Sequence, residues 1–184
     1  MPDSPEKHPE DAQNHSLTAA ILTVSDLGSR GQREDTAGPA VAALLEHAGF
    51  SVEERAILPD DPDQIAAQLI AWADRGVSLV LTAGGTGLAP RDRTPQATDS
   101  VIEYRVPGME EAMRAAAAPH VPTAILSRGI VGVRGRTLII NLPGSERGAR
   151  ENLETVLPVL EHACSQLRGD AGEAQELHGR LAGD

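Results

Sequence analysis

Two near-continuous apolar runs limit the fold of this chain more than any other feature. They are LTAAILTVS at residues 17–25 and VSLVLTAG at residues 77–84. Apolar runs of this length, without regular polar alternation, are typical of strands that are buried on both faces of a parallel sheet. The chain is therefore expected to place its remaining segments as layers on the two sides of such a sheet.

The segments around these runs alternate between strand-like and helix-like patterns. A second strand is predicted at 50–58, and 123–145 is predicted to hold one or two strands with Gly135 in a turn. Caps support two helix starts, since Asp61 precedes Pro62 and Thr94 precedes Pro95. Helical patterns occupy 36–49, 61–76, 94–105, 108–118 and 146–168, the last with Pro158 as a kink. The prediction is an α/β fold: one domain of three layers, with a mostly parallel sheet flanked by helices.

Composition separates this domain from its two ends. Residues 1–16 are polar and acidic and are predicted to be a disordered tail, residues 169–184 a frayed C-terminal tail, and 17–168 the domain. No apolar run approaches 18 residues, and the N-terminus lacks the pattern of a secretion signal. Cys164 is the single cysteine, which fits a reducing compartment. We therefore expect a cytoplasmic protein without a membrane span.

The charge is acidic overall but uneven along the chain. The formal net charge is −11, of which the two tails supply −6 and the centre −5. General binding to nucleic acid is not expected, because phosphate contacts need a basic face. Residues 91–136 nevertheless carry seven arginines against five acids. These arginines either attract a small anion or are scattered in solvent.

Polar or glycine-bearing segments follow four of the predicted strands. They begin at Ser25-Asp26, Pro59-Asp60, Gly84-Gly85 and Asn141-Leu142. The carboxyl ends of parallel strands meet at one rim of the sheet, where ligands of open α/β folds bind. The sequence therefore predicts a ligand site at this rim.

The segment GGTG at 84–87 could serve an anion, because glycines let backbone N–H groups approach a ligand closely. Alternatively, this segment is only a tight turn from strand to helix.

Asp60 and Asp92 are the candidate carboxylates for Mg²⁺, which commonly takes one or two carboxylates, waters and substrate phosphate oxygens. The alternatives are a helix cap for Asp60 and a local pair with Arg91 or Arg93 for Asp92.

Weaker candidates remain. Ser127, Arg128 and the NLPGS segment could bind an anion or form an ordinary turn. No catalytic role is assigned to the three isolated histidines His47, His120 and His162, and Cys164 is expected to be a packed thiol.

Together these motifs resemble the Mog/MoaB family of molybdenum-cofactor biosynthesis proteins, whose domain also occurs in gephyrin. The resemblance runs from about Ala19 to Leu167. It is carried, in order, by TVSD at 23–26, DTAG at 35–38, LPDD at 58–61, TAGGTGLAPRDRTPQAT at 82–98, VPG at 106–108, AILSR at 124–128 and LIINLPGS at 138–145. Arg93 is a departure, since the family usually has Val there.

The resemblance implies a molybdopterin adenylyltransferase, which transfers AMP from Mg-ATP to the terminal phosphate of molybdopterin and releases pyrophosphate. It places the family's two essential aspartates on Asp60 and Asp92, as catalytic residues and as ligands of Mg²⁺. It also implies substrate binding by Ser25, Asp26, Asp35, Gly84, Gly85, Thr86, Gly87, Arg91, Ser127, Arg128, Asn141, Pro143, Gly144 and Ser145. The implied assembly is a homotrimer or a hexamer, and the product would pass to a molybdate-insertion protein.

Two other functions fit the same motifs. One is a binding or scaffold module that holds the pterin without catalysis. The other is a relative of this fold that acts on a different nucleotide, as in competence-damage-type pyrophosphatases. Release of pyrophosphate that requires molybdopterin separates the adenylyltransferase from both.

Overall fold

The computed structural model describes residues 17–169 of the chain. The predicted N-terminal tail, 1–16, and all of the C-terminal tail beyond Gly169 lie outside these residues. The strands are β1 (Thr18–Val24), β2 (Ser51–Leu58), β3 (Leu79–Ala83), β4 (Tyr104–Arg105), β5 (Val131–Arg134) and β6 (Thr137–Leu142). The helices are α1 (Asp26–Ser29), α2 (Ala37–His47), α3 (Pro62–Asp74), α4 (Thr94–Asp99), α5 (Pro107–Ala117) and α6 (Glu146–Arg168), with a 3₁₀ helix at Pro122–Leu126.

One six-stranded sheet forms the middle of the molecule. Its strand order is β2-β1-β3-β6-β5-β4, with parallel pairing from β2 to β6 and antiparallel pairing from β6 to β4. The two apolar runs become neighbours, and Ile21 of β1 lies beside Leu81 of β3. This arrangement confirms the predicted α/β fold with a mostly parallel sheet.

Helices cover both faces of the sheet. Alternate side chains of the strands point to opposite sides, as the period of two requires. Ile21, Leu81 and Ile140 join a buried cluster with residues of α2, α5 and α6. Leu22, Val80 and Ile139 join a second cluster with residues of α3 and α4, which includes the fully buried Trp72. The sheet is thus the central layer of three.

Cys164 belongs to the first cluster and is buried, as expected of a packed thiol. Burial raises the pKa of the Cys164 thiol to about 12. Its Sγ lies 3.7 Å from the carbonyl oxygen of Ser78.

Local signals placed several boundaries correctly. Asp61 caps α3, where its carboxylate accepts hydrogen bonds from the N–H groups of Asp63 and Gln64 at 3.0 and 3.2 Å. Gly76 follows α3 with a φ of +81°, and Gly135 turns between β5 and β6 with a φ of +56°. None of the helices among residues 17–169 is long and apolar enough to cross a membrane.

The helix predicted at 94–105 is wrong in its second half. It ends at Asp99, and Tyr104–Arg105 pair with β5 as an edge strand. The N–H of Glu103 donates to the carbonyl of Val133 at 2.7 Å, and that of Val106 donates to Val131 at 2.8 Å. Pairing with a neighbouring strand therefore overrides the local helical pattern.

Candidate active site

Four parallel strands end at one rim, as the sequence predicts, and the segments after them enclose a pocket of about 480 Å³. We call it the acidic pocket because four aspartates line it. The site residues that the sequence analysis named and that line it are Ser25, Asp26, Asp35, Asp60, Gly84, Gly85, Asp92, Gly144 and Ser145.

Asp60 and Asp92 both face the glycine bend at 84–87. A Cβ on Gly85 would lie 2.9 Å from Oδ1 of Asp60, and a Cβ on Gly87 would lie 2.7 Å from Oδ2 of Asp92. The two carboxylates, which are far apart in sequence, thus approach the same short loop. Side chains larger than glycine at 85 and 87 would collide with them.

The bend itself requires glycine. Gly84 and Gly85 have φ values of +118° and +63°, in the region that L side chains rarely adopt. A Cβ on Gly84 would lie 2.2 Å from the backbone oxygen of Val24. A Cβ on Gly144, in the segment after β6, would lie 3.1 Å from Cα of Gly84, so the two loops pack backbone against backbone.

The pKa of the Asp60 carboxyl is raised above its usual value. Burial raises its pKa, and the negative charges of Asp26 and Asp92 raise it further. A backbone hydrogen bond from Asp26 and the charge of Arg91 lower it only in part. The net shift is upward, so this site disfavours a bare negative charge on Asp60 and favours a positively charged partner there.

Asp26 ties Arg91 to the strand end that carries Asp60. Its Oδ2 lies 2.7 Å from Nε of Arg91, and its Oδ1 accepts from Nη2 at 2.9 Å. Oδ1 also accepts from the N–H of Asp60 at 3.2 Å. Burial raises the pKa of Asp26, but these hydrogen bonds and the charges of Arg91 and Arg30 outweigh it, so the pKa lies below its usual value.

The alternative roles of the two main aspartates are not supported by these contacts. Asp61, not Asp60, caps α3. Arg91 pairs with Asp26, and between residues 17 and 169 no Lys, Arg or His forms an ion pair with Asp92. Oδ2 of Asp92 accepts a hydrogen bond from the N–H of Ala89 at 3.2 Å.

Three other predicted residues of the rim hold the loops in place. Asp35 accepts from the hydroxyl of Thr23 at 2.8 Å and from the N–H of Gly38 at 2.9 Å. Ser25 caps α1 and Ser145 caps α6 by accepting from the N–H groups of Gly28 and Gly148. Each therefore has a structural partner as well as a place beside the pocket.

A second pocket, of about 420 Å³, adjoins the first at Ser145. We call it the apolar pocket, because aliphatic side chains form much of its wall. The predicted residues that line it are Thr86, Gly87, Ser127, Pro143 and Ser145. Sequence reasoning missed Leu88, Val121, Leu126, Arg147 and Asn152, which also line it. Leu88 and Leu126 lie within the motifs at 82–98 and 124–128, but their aliphatic side chains give no chemical signal of a site. Val121, Arg147 and Asn152 lie outside all the quoted motifs.

Arg128 and Asn141 line neither of these two pockets. The guanidinium of Arg128 donates to the carbonyl of Gly87 at 2.7 Å and to the carbonyl of Asp92. The amide of buried Asn141 donates to the hydroxyls of Thr82 and Thr98 at 3.0 and 2.9 Å. These contacts assign both side chains a role in holding the loops; direct ligand contact by either stays a prediction.

Thr94 lies against the glycine bend but lines neither pocket, and sequence reasoning assigned it the role of a helix cap. The predicted cap of α4 is wrong, because Arg93 occupies the cap position and Thr94 is already the first helical residue. The Thr94 side chain is fully buried, and its hydroxyl has no hydrogen-bond partner among the described residues. It lies against Gly85, where a Cβ would be 2.3 Å from its Oγ1.

The model of the family described as "Probable molybdopterin binding domain" matches residues 20–162. The chain belongs to this family. It is 40% identical to the molybdopterin adenylyltransferase of Helicobacter pylori over 164 residues, which cover 88% of this chain and 93% of that protein.

Other relatives are also similar to this chain, but the chain covers different shares of their lengths. The chain is 35% identical to the molybdenum cofactor synthesis protein cinnamon of Drosophila melanogaster over 91% of this chain, but it spans only 28% of that protein. Among solved structures, that of the molybdopterin biosynthesis enzyme MoaB of Thermus thermophilus has a TM-score of 0.79 and 54% identity, covering 83% of this chain and 97% of that one. The adenylyltransferase relative is thus matched over nearly its full length, whereas cinnamon is matched over less than a third of its length.

The acidic pocket of this family member fits a divalent cation that arrives with phosphates. Among residues 17–169, no group of three or more His, Cys, Asp or Glu side chains is arranged to hold a metal ion. Asp60, whose pKa is raised, and Asp92 could supply two carboxylate ligands to a cation at the bend. Most ligands of that cation would then be other oxygens. That donor set matches Mg²⁺, which keeps waters and substrate phosphates as ligands.

Proposed function

We propose that this protein is a molybdopterin adenylyltransferase of molybdenum cofactor biosynthesis. The observation that carries the proposal is the approach of Asp60 and Asp92 to one glycine bend. The name of the Helicobacter pylori relative, which the chain matches over nearly its full length, supports the same activity.

The proposed reaction joins two phosphates. An oxygen of the terminal phosphate of molybdopterin attacks the α-phosphorus of ATP, and the bond from that phosphorus to the oxygen bridging to the β-phosphate breaks. Pyrophosphate leaves with the electron pair, and the product is adenylated molybdopterin. Because the nucleophile is already a phosphate, the protein has only to position the reactants and balance their charge.

The acidic pocket is the proposed place of the phosphates. The N–H of Gly84 is already used, since it donates to the carbonyl of Leu142 at 3.1 Å. The N–H of Gly85, which lines the acidic pocket, donates to no group within residues 17–169, so it remains for a phosphate oxygen. The N–H groups of Thr86 and Gly87 also donate to no group there, but these two residues line the apolar pocket.

Asp26 positions a cation for the same phosphates. It holds the guanidinium of Arg91 through two contacts, although Arg91 itself lines neither the acidic nor the apolar pocket. The Arg91 side chain is 67% exposed, so an arriving anion can reach it. Asp60 and Asp92 would hold Mg²⁺, which when bound would neutralise charge on the phosphates.

The apolar pocket offers walls for a flat ring of one of the two substrates. Leu88, Val121 and Leu126 supply apolar surface, and Ser127 and Asn152 supply polar groups at its edge. Ser145 lies between the two pockets, so one ligand can extend from the ring site to the phosphate site.

The resemblance also carries the proposals on cellular context. The enzyme would act in the cytoplasm as a homotrimer or hexamer and would pass its product to a molybdate-insertion protein.

Pyrophosphate release tests the proposal. The protein is mixed with Mg-ATP and molybdopterin, and pyrophosphate is measured for the wild type, for Asp92→Ala and for the exposed control Asp63→Asn. We expect release that requires both substrates, near-normal release by the control, and retained pterin binding without turnover by Asp92→Ala. Binding of both substrates without pyrophosphate would favour a scaffold module, and release without pterin would favour a nucleotide pyrophosphatase.

A further inference from the structure

The hydroxyl of Thr94 is an exception among the threonines of 0% exposure in the described part of the chain. Thr82 and Thr98 accept hydrogen bonds from Asn141, and Thr137 donates to the carbonyl of Val77 at 2.6 Å. Thr94 is as buried as these three, with 0% exposure, yet its Oγ1 has no partner among the described residues. An unsatisfied buried hydroxyl lowers the stability of the fold, so this one is expected to serve something other than folding.

Its surroundings point into the candidate active site. The position that a Cβ of Gly85 would occupy is 2.3 Å from Oγ1 of Thr94 and 2.9 Å from Oδ1 of Asp60. The hydroxyl and the carboxylate therefore converge on the same side of the Gly85 backbone. The Thr94 hydroxyl makes no hydrogen bond to Asp60, so its oxygen is not used by this neighbour.

The backbone fixes Thr94 in this position. Its N–H donates to the carbonyl of Gly85 at 3.2 Å, which ties the start of α4 to the glycine bend. Capping does not explain the choice of threonine, because the cap position belongs to Arg93 and α4 has no side-chain cap. The residue is thus held beside Asp60 with its oxygen unused.

We infer that Oγ1 of Thr94 is a third protein ligand, with Asp60 and Asp92, for the divalent cation of this site. The inference rests on the cation site of the proposed function. Hard divalent cations bind oxygen ligands, and a threonine hydroxyl commonly completes a Mg²⁺ site beside nucleotide phosphates.

Binding of Mn²⁺ tests this inference without turnover. Free Mn²⁺ is followed by electron paramagnetic resonance while full-length protein is added, in the presence of α,β-methylene-ATP. The variants are Thr94→Val, which has the same shape without the hydroxyl, and Thr94→Ser, which keeps the hydroxyl. We expect Thr94→Val to bind Mn²⁺ about tenfold more weakly, and Thr94→Ser to bind close to wild type.

A thermal midpoint measured without metal distinguishes a ligand from a structural residue. Because the hydroxyl has no partner in the fold, Thr94→Val is expected to unfold at the same temperature as the wild type or higher. Weaker Mn²⁺ binding together with undiminished stability supports the inference. Wild-type Mn²⁺ affinity in Thr94→Val overturns it, as does a weakening of Thr94→Ser as large as that of Thr94→Val.

The two proposals fail in different ways. If the wild type binds Mn²⁺ through Thr94 but releases no pyrophosphate with molybdopterin, the enzymatic proposal fails and the Thr94 ligand stands. If the wild type releases pyrophosphate and Thr94→Val binds Mn²⁺ normally, only the ligand assignment fails. A wild type that binds no Mn²⁺ in the presence of the nucleotide analogue overturns the cation site and the Thr94 assignment together.

Discussion

The acidic pocket and the apolar pocket are neighbours of similar size, about 480 and 420 Å³, but they are built differently. Strand ends and the loops directly after them make the acidic pocket, so the sheet fixes its residues. The apolar pocket is made largely by the 3₁₀ helix Pro122–Leu126, by the start of α6 and by Leu88. The acidic pocket contains more charged side chains, whereas the apolar pocket mainly offers aliphatic surface to a ligand.

This difference predicts a division of labour. Changes in the acidic pocket should affect turnover or the fold itself, because its parts are rigid and charged. Changes in the apolar pocket should affect only the affinity for a substrate. Single substitutions in each pocket test this division.

Asp60→Asn should produce the largest loss. Removing one pre-positioned charged group from a phosphoryl-transfer site lowers kcat by roughly 10²- to 10³-fold. Steady-state kinetics with molybdopterin and Mg-ATP measure it, with Asp61→Asn as the matched control, since asparagine also caps helices well. A kcat near wild type in Asp60→Asn would show that the carboxylate plays no part in the chemistry.

Gly84→Ala should damage the fold through the bend. Its Cβ would lie 2.2 Å from a backbone oxygen, at a φ of +118°. We expect the free energy of unfolding to fall by about 3 kcal/mol, since both strain and a backbone clash act there.

Gly135→Ala is the matched control for Gly84→Ala. Gly135 also has a positive φ, of +56°, but nothing lies within 4 Å of its Cβ position. Urea titration should therefore show a loss of only about 1 kcal/mol. Equal losses in the two variants would mean that the packing of the bend against β1 contributes nothing.

Leu88→Ala should change affinity and leave turnover alone. Leu88 is 64% exposed at the wall of the apolar pocket, so truncation leaves the core intact. We expect the KM of one substrate to rise about fivefold, which corresponds to about 1 kcal/mol of lost apolar contact. Ile125→Ala is the control, because Ile125 is 67% exposed but does not line the pocket. A fall in kcat with unchanged KM would break the proposed division.

The same two pockets show how far sequence reasoning reaches. Strand ends follow from apolar periodicity, and parallel pairing brings them to one rim, so Asp60 and Gly85 could be predicted to meet. Leu88, Val121 and Leu126 meet only because a 3₁₀ helix and a loop fold against α6. No period or motif in one sequence encodes such an approach.

Errors at α4 have a related cause. The pattern of 94–105 is helical by local propensity, but pairing with β5 decides its second half. Thr94 has the residue type of a helix cap and precedes a proline, so the sequence favours the cap position for it. The helix instead begins at Thr94 itself, and its buried hydroxyl has no hydrogen-bond partner among the described residues. Boundary errors of one residue are ordinary, and here one such error concealed a candidate ligand.

The smallest predicted effect is a gain of stability in the variant that loses the most activity. The pKa of Asp60 is raised in the folded protein, chiefly by burial and by the charge of Asp26. The folded state then binds more protons than the unfolded state between the two pKa values, so the stability contribution of Asp60 falls as pH rises through the folded pKa. Where the pH exceeds the folded pKa, the charged carboxylate lowers the stability, and Asp60→Asn removes that charge.

Without metal or nucleotide, Asp60→Asn should therefore be slightly more stable than the wild type at pH 7. The difference should disappear at about pH 3 and below, where the carboxyl is mostly protonated in both states. Urea titrations at the two pH values measure it, and Asp61→Asn should show no such gain, because the pKa of Asp61 is lowered by its hydrogen bonds to Gln64. A loss of stability in Asp60→Asn at pH 7 would mean that the carboxylate is held for the fold. A gain in the free energy of unfolding would show that the Asp60 carboxylate lowers the stability of the fold, as expected of a residue kept for a cation.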